Sequence, residues 1–386
     1  MIWFNRTQPK ISLPPASVTA RVRARAEKRL LRQLERQNRR RDAQASACQT
    51  QMQQPDHVLE VDRLQSWFWT EAGILKAVDG VSFSIAKGQT VCLAGESGCG
   101  KSALGLSLMR LLPRPQGQIV GGAIRLDTGA YVCDIVRAPE RTLEQIRGNA
   151  VSLIVQEPAT SLNPVLRVGE QILEPIRLHQ PELTSAEGKA RVLELLEQVG
   201  IANGAGVFAQ YPHTLSGGMR QRVMIAMALA CNPKLLLADE PTTALDATIQ
   251  AQILDLLREL QQKTGVSILL MTHDLGVAAE LADRVVILYA GRVVEQGTAD
   301  DVLQHPAHPY TMGLLESNRL TGRERGKLSS ITGAVPEAIN RPDRCSFYER
   351  CALRLPVCAG GYPDEVCVSP SHTASCYRCG TGGEPK

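Results

Sequence analysis

From residue 58 onward the sequence predicts an α/β domain on a largely parallel sheet, with an inserted helical subdomain and a cysteine-rich region behind it. Three observations carry this. Short apolar runs alternate with helix-like stretches, the pattern of strands joined by crossover helices. Residues from about 157 to 230 break the alternation and read as mainly helical. After Glu316 the patterning fades, and the last stretch turns rich in Pro, Gly and Cys.

Strands are expected over 58–64, 81–85, 90–94, 151–155, 235–238, 267–271 and 285–289, each a short apolar run. Helices are expected over 101–112, 186–199, 220–230 and 247–263. The divisions that follow are 1–56 as an extension, 57–318 as the main α/β body and 319–386 as a separate cysteine-rich tail.

The extension is strongly basic. Residues 1–41 hold twelve Lys/Arg against Glu27 and Glu35, a net +10 in a chain of net +4, so residues 42–386 carry −6. A helix over 18–41 would put Val22, Ala26, Leu30 and Leu34 on one stripe and arginines elsewhere, a form suited to anionic lipid or a protein partner. The other readings are a disordered arm, or an upstream segment ahead of a start at Met52. The mildly acidic body does not suit nucleic acid.

No stretch approaches the ~18 uninterrupted apolar residues of a membrane helix. A membrane role would therefore work through partners that span the bilayer. Residues 1–15 lack a charged start followed by an apolar stretch, so a reducing compartment is expected. Of the eleven cysteines, six crowd into 345–379, and in such a compartment a cluster of this kind favours metal over disulfide.

Residues 95–102 read GESGCGKS, after an apolar run and at the start of a helical pattern. A glycine-rich turn there lets backbone N–H groups converge on phosphate oxygens at a helix N-terminus. Lys101 would neutralise the terminal phosphates and Ser102 would ligate Mg²⁺. Residues 235–246 read LLLADEPTTALD. Asp239 ends an apolar strand and fits an Mg²⁺-holding acid, and Glu240 stands where a carboxylate can polarise water. Residues 215–222 read LSGGMRQR, a second capped, anion-binding helix start. One nucleotide does not need two such ends on one chain, which points to a nucleotide held by a partner.

These three motifs and His273 of MTHDL occur in the order seen in ABC-type ATPases, and residues 58–316 resemble that superfamily. The resemblance implies a P-loop NTPase of ABC type: a RecA-like core, an antiparallel β subdomain and an inserted helical subdomain. It implies two subunits sandwiching two ATP molecules. Gly95, Glu96, Ser97, Gly98, Cys99, Gly100, Lys101 and Ser102 would hold ATP, with Phe68 stacked on adenine and Trp67 or Trp69 as alternatives in a 66–73 loop. Ser102, Gln156 and Asp239 would hold Mg²⁺. Glu240, His273 and Gln156 would be catalytic, and Ser216, Gly217, Gly218 and Asp246 would serve the partner's ATP.

Within that superfamily the chain resembles the D-type ATPase of oligopeptide/dipeptide importers. The carriers are EPATSLNP (157–164), SGGMRQRVMIAMAL (216–229), HPYTMGLL (308–315) and the cysteine pattern of the tail. This implies two permeases, a second ATPase (F-type, or a second copy of this chain) and an extracytoplasmic solute-binding protein. The chain would lie on the cytoplasmic face of the inner membrane. Peptides are the implied cargo; nickel, opines or another small solute are the alternatives. A soluble ABC ATPase of DNA repair or translation is the rival class, but no long coiled-coil insertion or second motor domain is present. In the tail the resemblance implies a [4Fe–4S] cluster on Cys345, Cys351, Cys358 and Cys376, with zinc or no metal as alternatives. Cys367 and Cys379 are extra to that pattern.

Overall fold

The computed structural model describes residues 20–42, 48–157, 161–243, 245–319, 331–339 and 341–379. Residues 1–19 of the extension, 158–160 of the EPATSLNP run, Ala244 and residues 320–330 of the tail lie outside these.

The chain begins with helix α1 (Ala20–Asp42) and a short strand β1 (Gln49–Thr50). A long hairpin follows, β2 (His57–Thr70) and β3 (Gly73–Ala86). Strand β4 (Thr90–Ala94) enters the core and feeds helix α2 (Lys101–Leu108). Strands β5 (Gly117–Asp127) and β6 (Val132–Asp134) complete an antiparallel sheet of order β1-β6-β5-β2-β3. After α3 (Glu140–Ile146) and β7 (Val151–Ile154) comes the helical subdomain: α4 (Val168–His179), α5 (Ser185–Gln198), α6 (Gly204–Phe208) and α7 (Gly217–Ala228). The chain returns to the core through β8 (Leu235–Asp239), α8 (Ala247–Thr264), β9 (Ser267–Thr272), α9 (Leu275–Leu281), β10 (Arg284–Tyr289) and β11 (Arg292–Thr298). It ends with α10 (Ala299–Gln304), α11 (Pro309–Arg319), β12 (Val366–Ser369) and β13 (His372–Ala374).

The second sheet has the order β12-β13-β11-β10-β4-β9-β8-β7, parallel from β10 through β7. Every residue of β4 and β9 is buried, as expected of parallel strands covered on both faces. Side chains alternate between two cores, following the two-residue period of a strand. Leu236, Ala238, Ile268 and Leu270 join the core shared with the helical subdomain. Leu235, Leu237, Leu269 and Met271 join the core shared with the antiparallel sheet.

Three of the differences from the sequence expectation concern how the pieces dock. Residues 66–73, read as a loop, are the end of the β2–β3 hairpin, with Phe68 opposite Leu75 and Trp69 opposite Ile74. The helix expected over 18–41 is present as α1, but its apolar stripe docks on that hairpin instead of facing a lipid or partner: Leu34 is buried against Trp67, Ile74 and Val120, and Trp69 Nε1 donates to the Glu27 carbonyl at 3.2 Å. Arg25, Lys28, Arg29, Arg32, Arg36, Arg39 and Arg40 stay exposed on α1. The cysteine-rich region, read as separate, extends the core sheet, with Ala374 paired to Glu295 of β11. Its Phe347 packs edge-on against Tyr289 at 5.3 Å.

Candidate functional site

Strand β4 ends in the loop 95–100, and α2 starts at Lys101. Gly100 has φ 114°, and a Cβ there would collide with the Ala77 carbonyl, so the turn requires glycine. The loop's other members follow: Gly95 and Cys99 are buried beneath it, while Ser97 and Gly98 are exposed on top. Lys101 folds over its own loop, donating to the carbonyls of Gly95 at 2.7 Å and Glu96 at 3.1 Å. Its ammonium therefore lies at the loop's centre, where terminal phosphates would be neutralised.

Strand β8 places two acids at its end. Asp239 is half-buried, receives a hydrogen bond from Ser102, and has Oδ1 buried with no hydrogen-bond partner. Burial, with the Glu240 charge beside it, pushes this carboxyl above the usual carboxylate range. An orphaned carboxylate oxygen next to a serine hydroxyl is a donor set that fits Mg²⁺.

Glu240 holds φ at 47°, a left-handed backbone uncommon outside glycine. Its Oε2 accepts from Gln156 Nε2 at 3.0 Å and from Thr243 Oγ1 at 2.9 Å. Its Oε1 lies 3.0 Å from His273 Nδ1. Burial opposes ionisation of Glu240, but the bonds with His273 and Thr243 outweigh it and hold the carboxyl below its ordinary value.

Except for Asp239, which is hydrogen-bonded to Ser102, and the buried Gly95 and Cys99, these groups line one open cleft of ≈ 850 Å³. Its wall includes Phe68, Glu96, Lys101, Ser102, Gln156, Glu240 and His273. Of the three aromatics, Phe68 lines the cleft, while Trp67 and Trp69 pack in the cluster with Leu34 of α1. Ser216, Gly217, Gly218 and Asp246 do not line the cleft. Ser216 and Gly217 are exposed at the start of α7, where Ser216 Oγ accepts from the Met219 N–H at 3.3 Å. Asp246 is likewise exposed and caps α8, accepting from the Ile249 N–H at 3.0 Å.

Sequence reasoning missed several members. Thr243 sits inside LLLADEPTTALD, and its hydroxyl three residues after Glu240 was a readable signal. Leu314 and Ser317 of α11, with Ile331, bring the C-terminal region to the cleft. Tyr310, inside HPYTMGLL, accepts the Glu96 N–H on its hydroxyl at 2.9 Å. Arg350 binds the Glu96 carboxylate through both terminal nitrogens, at 2.6 and 2.8 Å.

Cys345, Cys351, Cys358 and Cys376 line a second, small cavity with His308, Phe347 and Tyr377. Cys367 and Cys379 are not in that lining. Burial pushes the Cys345 thiol up to about 11 and raises Cys351, while a hydrogen bond with Cys379 lowers Cys376. No group of three or more His, Cys, Asp or Glu side chains among the described residues is arranged to hold a metal ion. The structure thus gathers the four thiols around one space without a formed site.

Comparison with known proteins agrees with the geometry. Residues 78–243 match the ABC transporter family, and residues 294–358 match the oligopeptide/dipeptide transporter C-terminal region. The oligopeptide transport ATP-binding protein AppD of Bacillus subtilis (strain 168) is 49% identical over 320 residues, 83% of this chain and 96% of that protein. The dipeptide transport ATP-binding protein DppD of the same organism is 45% identical over 322 residues, 83% of this chain and 95% of that protein. Among solved structures, an ATP-binding cassette in a dimeric post-hydrolysis state with ADP and Pi matches with TM-score 0.55 and 27% identity. It covers 62% of this chain and 98% of that one. A P-loop, an orphaned acid beside Ser102 and a carboxylate held by Gln156 and His273, together with these matches, make the chain an ATP-hydrolysing member of the ABC transporter family, in the branch that carries the oligopeptide/dipeptide transporter C-terminal region.

Proposed function

We propose that this ATPase powers peptide import through a membrane transporter, as one half of an ATPase dimer. The observation that carries the dimer is the position of residues 216–218. They form an exposed, capped helix start outside the chain's own cleft. An anion-binding helix end with no nucleotide of its own suits the ATP of a partner. That partner is an F-type ATPase, or a second copy of this chain. The names of the relatives and the match over residues 294–358 support peptides as cargo.

No helix among the described residues is long and apolar enough to cross a membrane. The remaining partners are therefore two permeases, gripped near Gln156, and an extracytoplasmic solute-binding protein that delivers the peptide. The chain works on the cytoplasmic face of the inner membrane and does not touch the cargo.

In the cleft, Lys101 and the N–H groups of residues 95–102 hold the phosphates, and Phe68 stacks on adenine. Ser102, Asp239 and Gln156 hold Mg²⁺, which when bound neutralises charge on the phosphate oxygens. Glu240 accepts a proton from the attacking water, and His273 and Gln156 orient water and γ-phosphate. Ser216, Gly217, Gly218 and Asp246 close on the partner's ATP. The protein supplies positioning and charge compensation rather than covalent chemistry.

Reconstitution of the assembled transporter in vesicles tests the cargo. ATP-dependent accumulation of labelled di- and oligopeptides is expected; uptake of nickel or opines with peptides excluded would refute the peptide reading.

We also propose that Cys345, Cys351, Cys358 and Cys376 close around a structural [4Fe–4S] cluster. Four thiols on one cavity are the donor chemistry that such a cluster takes. Protein purified anaerobically should contain about four irons and four sulfides per chain and a visible charge-transfer absorption. Zinc in their place, or a metal-free protein, would rule the cluster out.

A further inference from the structure

Arg350 lies 254 residues from Glu96 along the chain, between Cys345 and Cys351 of the C-terminal region. Its side chain is 5% exposed, and its fork meets both carboxylate oxygens of Glu96: one nitrogen at 2.6 Å from Oε2, the other at 2.8 Å from Oε1. Its Nε donates to the Thr332 carbonyl at 3.0 Å, and its plane lies over Tyr289 and Phe347. Every part of the guanidinium is thus held.

Glu96 is the second residue of the phosphate-binding loop and lines the nucleotide cleft. A free carboxylate there would repel the polyphosphate that the loop exists to bind. A bidentate guanidinium removes that charge from play and fixes the side chain at the same time. The same loop residue is tied a second time, through its N–H, to the Tyr310 hydroxyl at 2.9 Å. Tyr310 itself is fully buried against Phe347, with ring centroids 5.4 Å apart. The loop is therefore braced from outside the ATPase core.

We propose that Arg350 is a positioning residue of the ATP site: by neutralising and pinning Glu96 it makes the phosphate loop competent to bind ATP, so that the C-terminal region completes the nucleotide site. Arg350 does not touch the nucleotide; it acts through Glu96.

The test uses the full-length purified chain and Mg-ATP and Mg-ADP titrations. Arg350→Ala should weaken Mg-ATP binding about tenfold, the size of one lost charge-assisted contact, and Mg-ADP binding less, because ADP carries less charge. Adding Glu96→Gln to Arg350→Ala should recover most of the loss, since the repelling charge is gone. A merely structural arginine would give an equal loss for both nucleotides and no recovery. Binding unchanged in Arg350→Ala, or a loss that Glu96→Gln leaves in place, overturns the proposal. If Arg350→Ala does not fold, Arg350→Lys and Arg350→Lys with Glu96→Gln carry the same comparison, with an expected loss of about threefold because a lysine cannot make the fork. The same two outcomes then decide.

Discussion

Glu240 Oε1 and His273 Nδ1 lie 3.0 Å apart, and this contact, with those from Gln156 and Thr243 to Oε2, fixes the Glu240 carboxylate while leaving acceptor capacity on Oε1. The open site on Oε1 is where it can take a proton from water. Glu240→Gln keeps the shape and most of the hydrogen bonds but cannot accept that proton. The expected result is Mg-ATP binding within a few-fold of the parent and hydrolysis reduced by at least about 10²-fold, the lower end of a general-base contribution. Near-normal turnover of Glu240→Gln in a steady-state phosphate-release assay would remove Glu240 from the role of base.

Gly217 offers a way to separate binding from turnover. A Cβ added there meets nothing closer than Leu245 Cδ2 at 3.9 Å, so the fold has room for a side chain. Gly217→Asp should fold, and should bind Mg-ATP in the chain's own cleft within about twofold of the parent, since surface substitutions away from special features are near neutral. Its carboxylate would meet the phosphates of the partner's ATP. ATP-dependent association, measured by light scattering, and hydrolysis should both fall sharply. Equal ATP affinity together with intact association would show that residues 216–218 do not face a partner nucleotide.

Much of this was legible in the sequence because it is local. The turn at 95–102 demands glycines, the acids end an apolar strand, and Ser216 caps a helix; each is a short-range requirement. Strand β4 falls on the expected residues because all five of its side chains are buried and the run reads as one apolar block. Long-range pairings were not legible. Nothing in CSFYERC announces that Arg350 reaches Glu96, because the partner is set by how β10, α11 and the C-terminal segment pack. Strand β5 was missed because Gly121 and Gly122 interrupt its apolar pattern, and α4 because Pro175 lies inside it. Which of Phe68 and its two tryptophan neighbours faces the cleft follows from the β2–β3 hairpin, which fixes the face each residue shows.

Asp79 makes a second long-range tie and gives a stability prediction. Its carboxylate, 6% exposed, accepts from Arg292 at 2.8 Å and from Arg341 at 3.2 Å, joining β3 to β11 and to the C-terminal region. Burial opposes its ionisation, but the Arg292 guanidinium, helped by Lys76 and Arg341, outweighs this and holds the carboxyl below its ordinary 3.8. A carboxyl depressed in the folded state stabilises in full above its unfolded value and loses that contribution as pH falls through the folded value. Asp79→Asn should lower unfolding stability by about 3 kcal/mol at neutral pH, because two half-buried arginines lose their counter-charge. The difference from the parent should shrink below pH 3.8 in urea melts followed by circular dichroism. A deficit that stays constant with pH would show that the pairing is not the source.

Helix α1 is the part of the chain whose contribution is least obvious from its charge, and its docking is testable. Leu34 is 7% exposed and sits with Leu30 against Trp67, Trp69, Ile74 and Val120. Polar ties flank this contact: Asn38 Nδ2 donates to Gln118 Oε1 at 2.7 Å, and Arg110 pairs with Asp42 at 3.2 Å. With most of its basic residues facing solvent, the helix has this narrow apolar stripe as its main buried contact, so one large-to-polar change there should release it. Leu34→Ala should cost about 2–3 kcal/mol of docking, and Leu34→Asp more, because a carboxylate would be buried without a partner. Trp67 is 3% exposed, so release should shift tryptophan emission to longer wavelength and open α1 itself to proteases. No α1 residue lines the nucleotide cleft, which lies on the Phe68 side of β2, so Mg-ATP binding should survive the release. Unchanged emission and protease resistance in Leu34→Asp would mean that α1 is held by its polar ties, and a double change with Asn38→Ala would then be needed to free it.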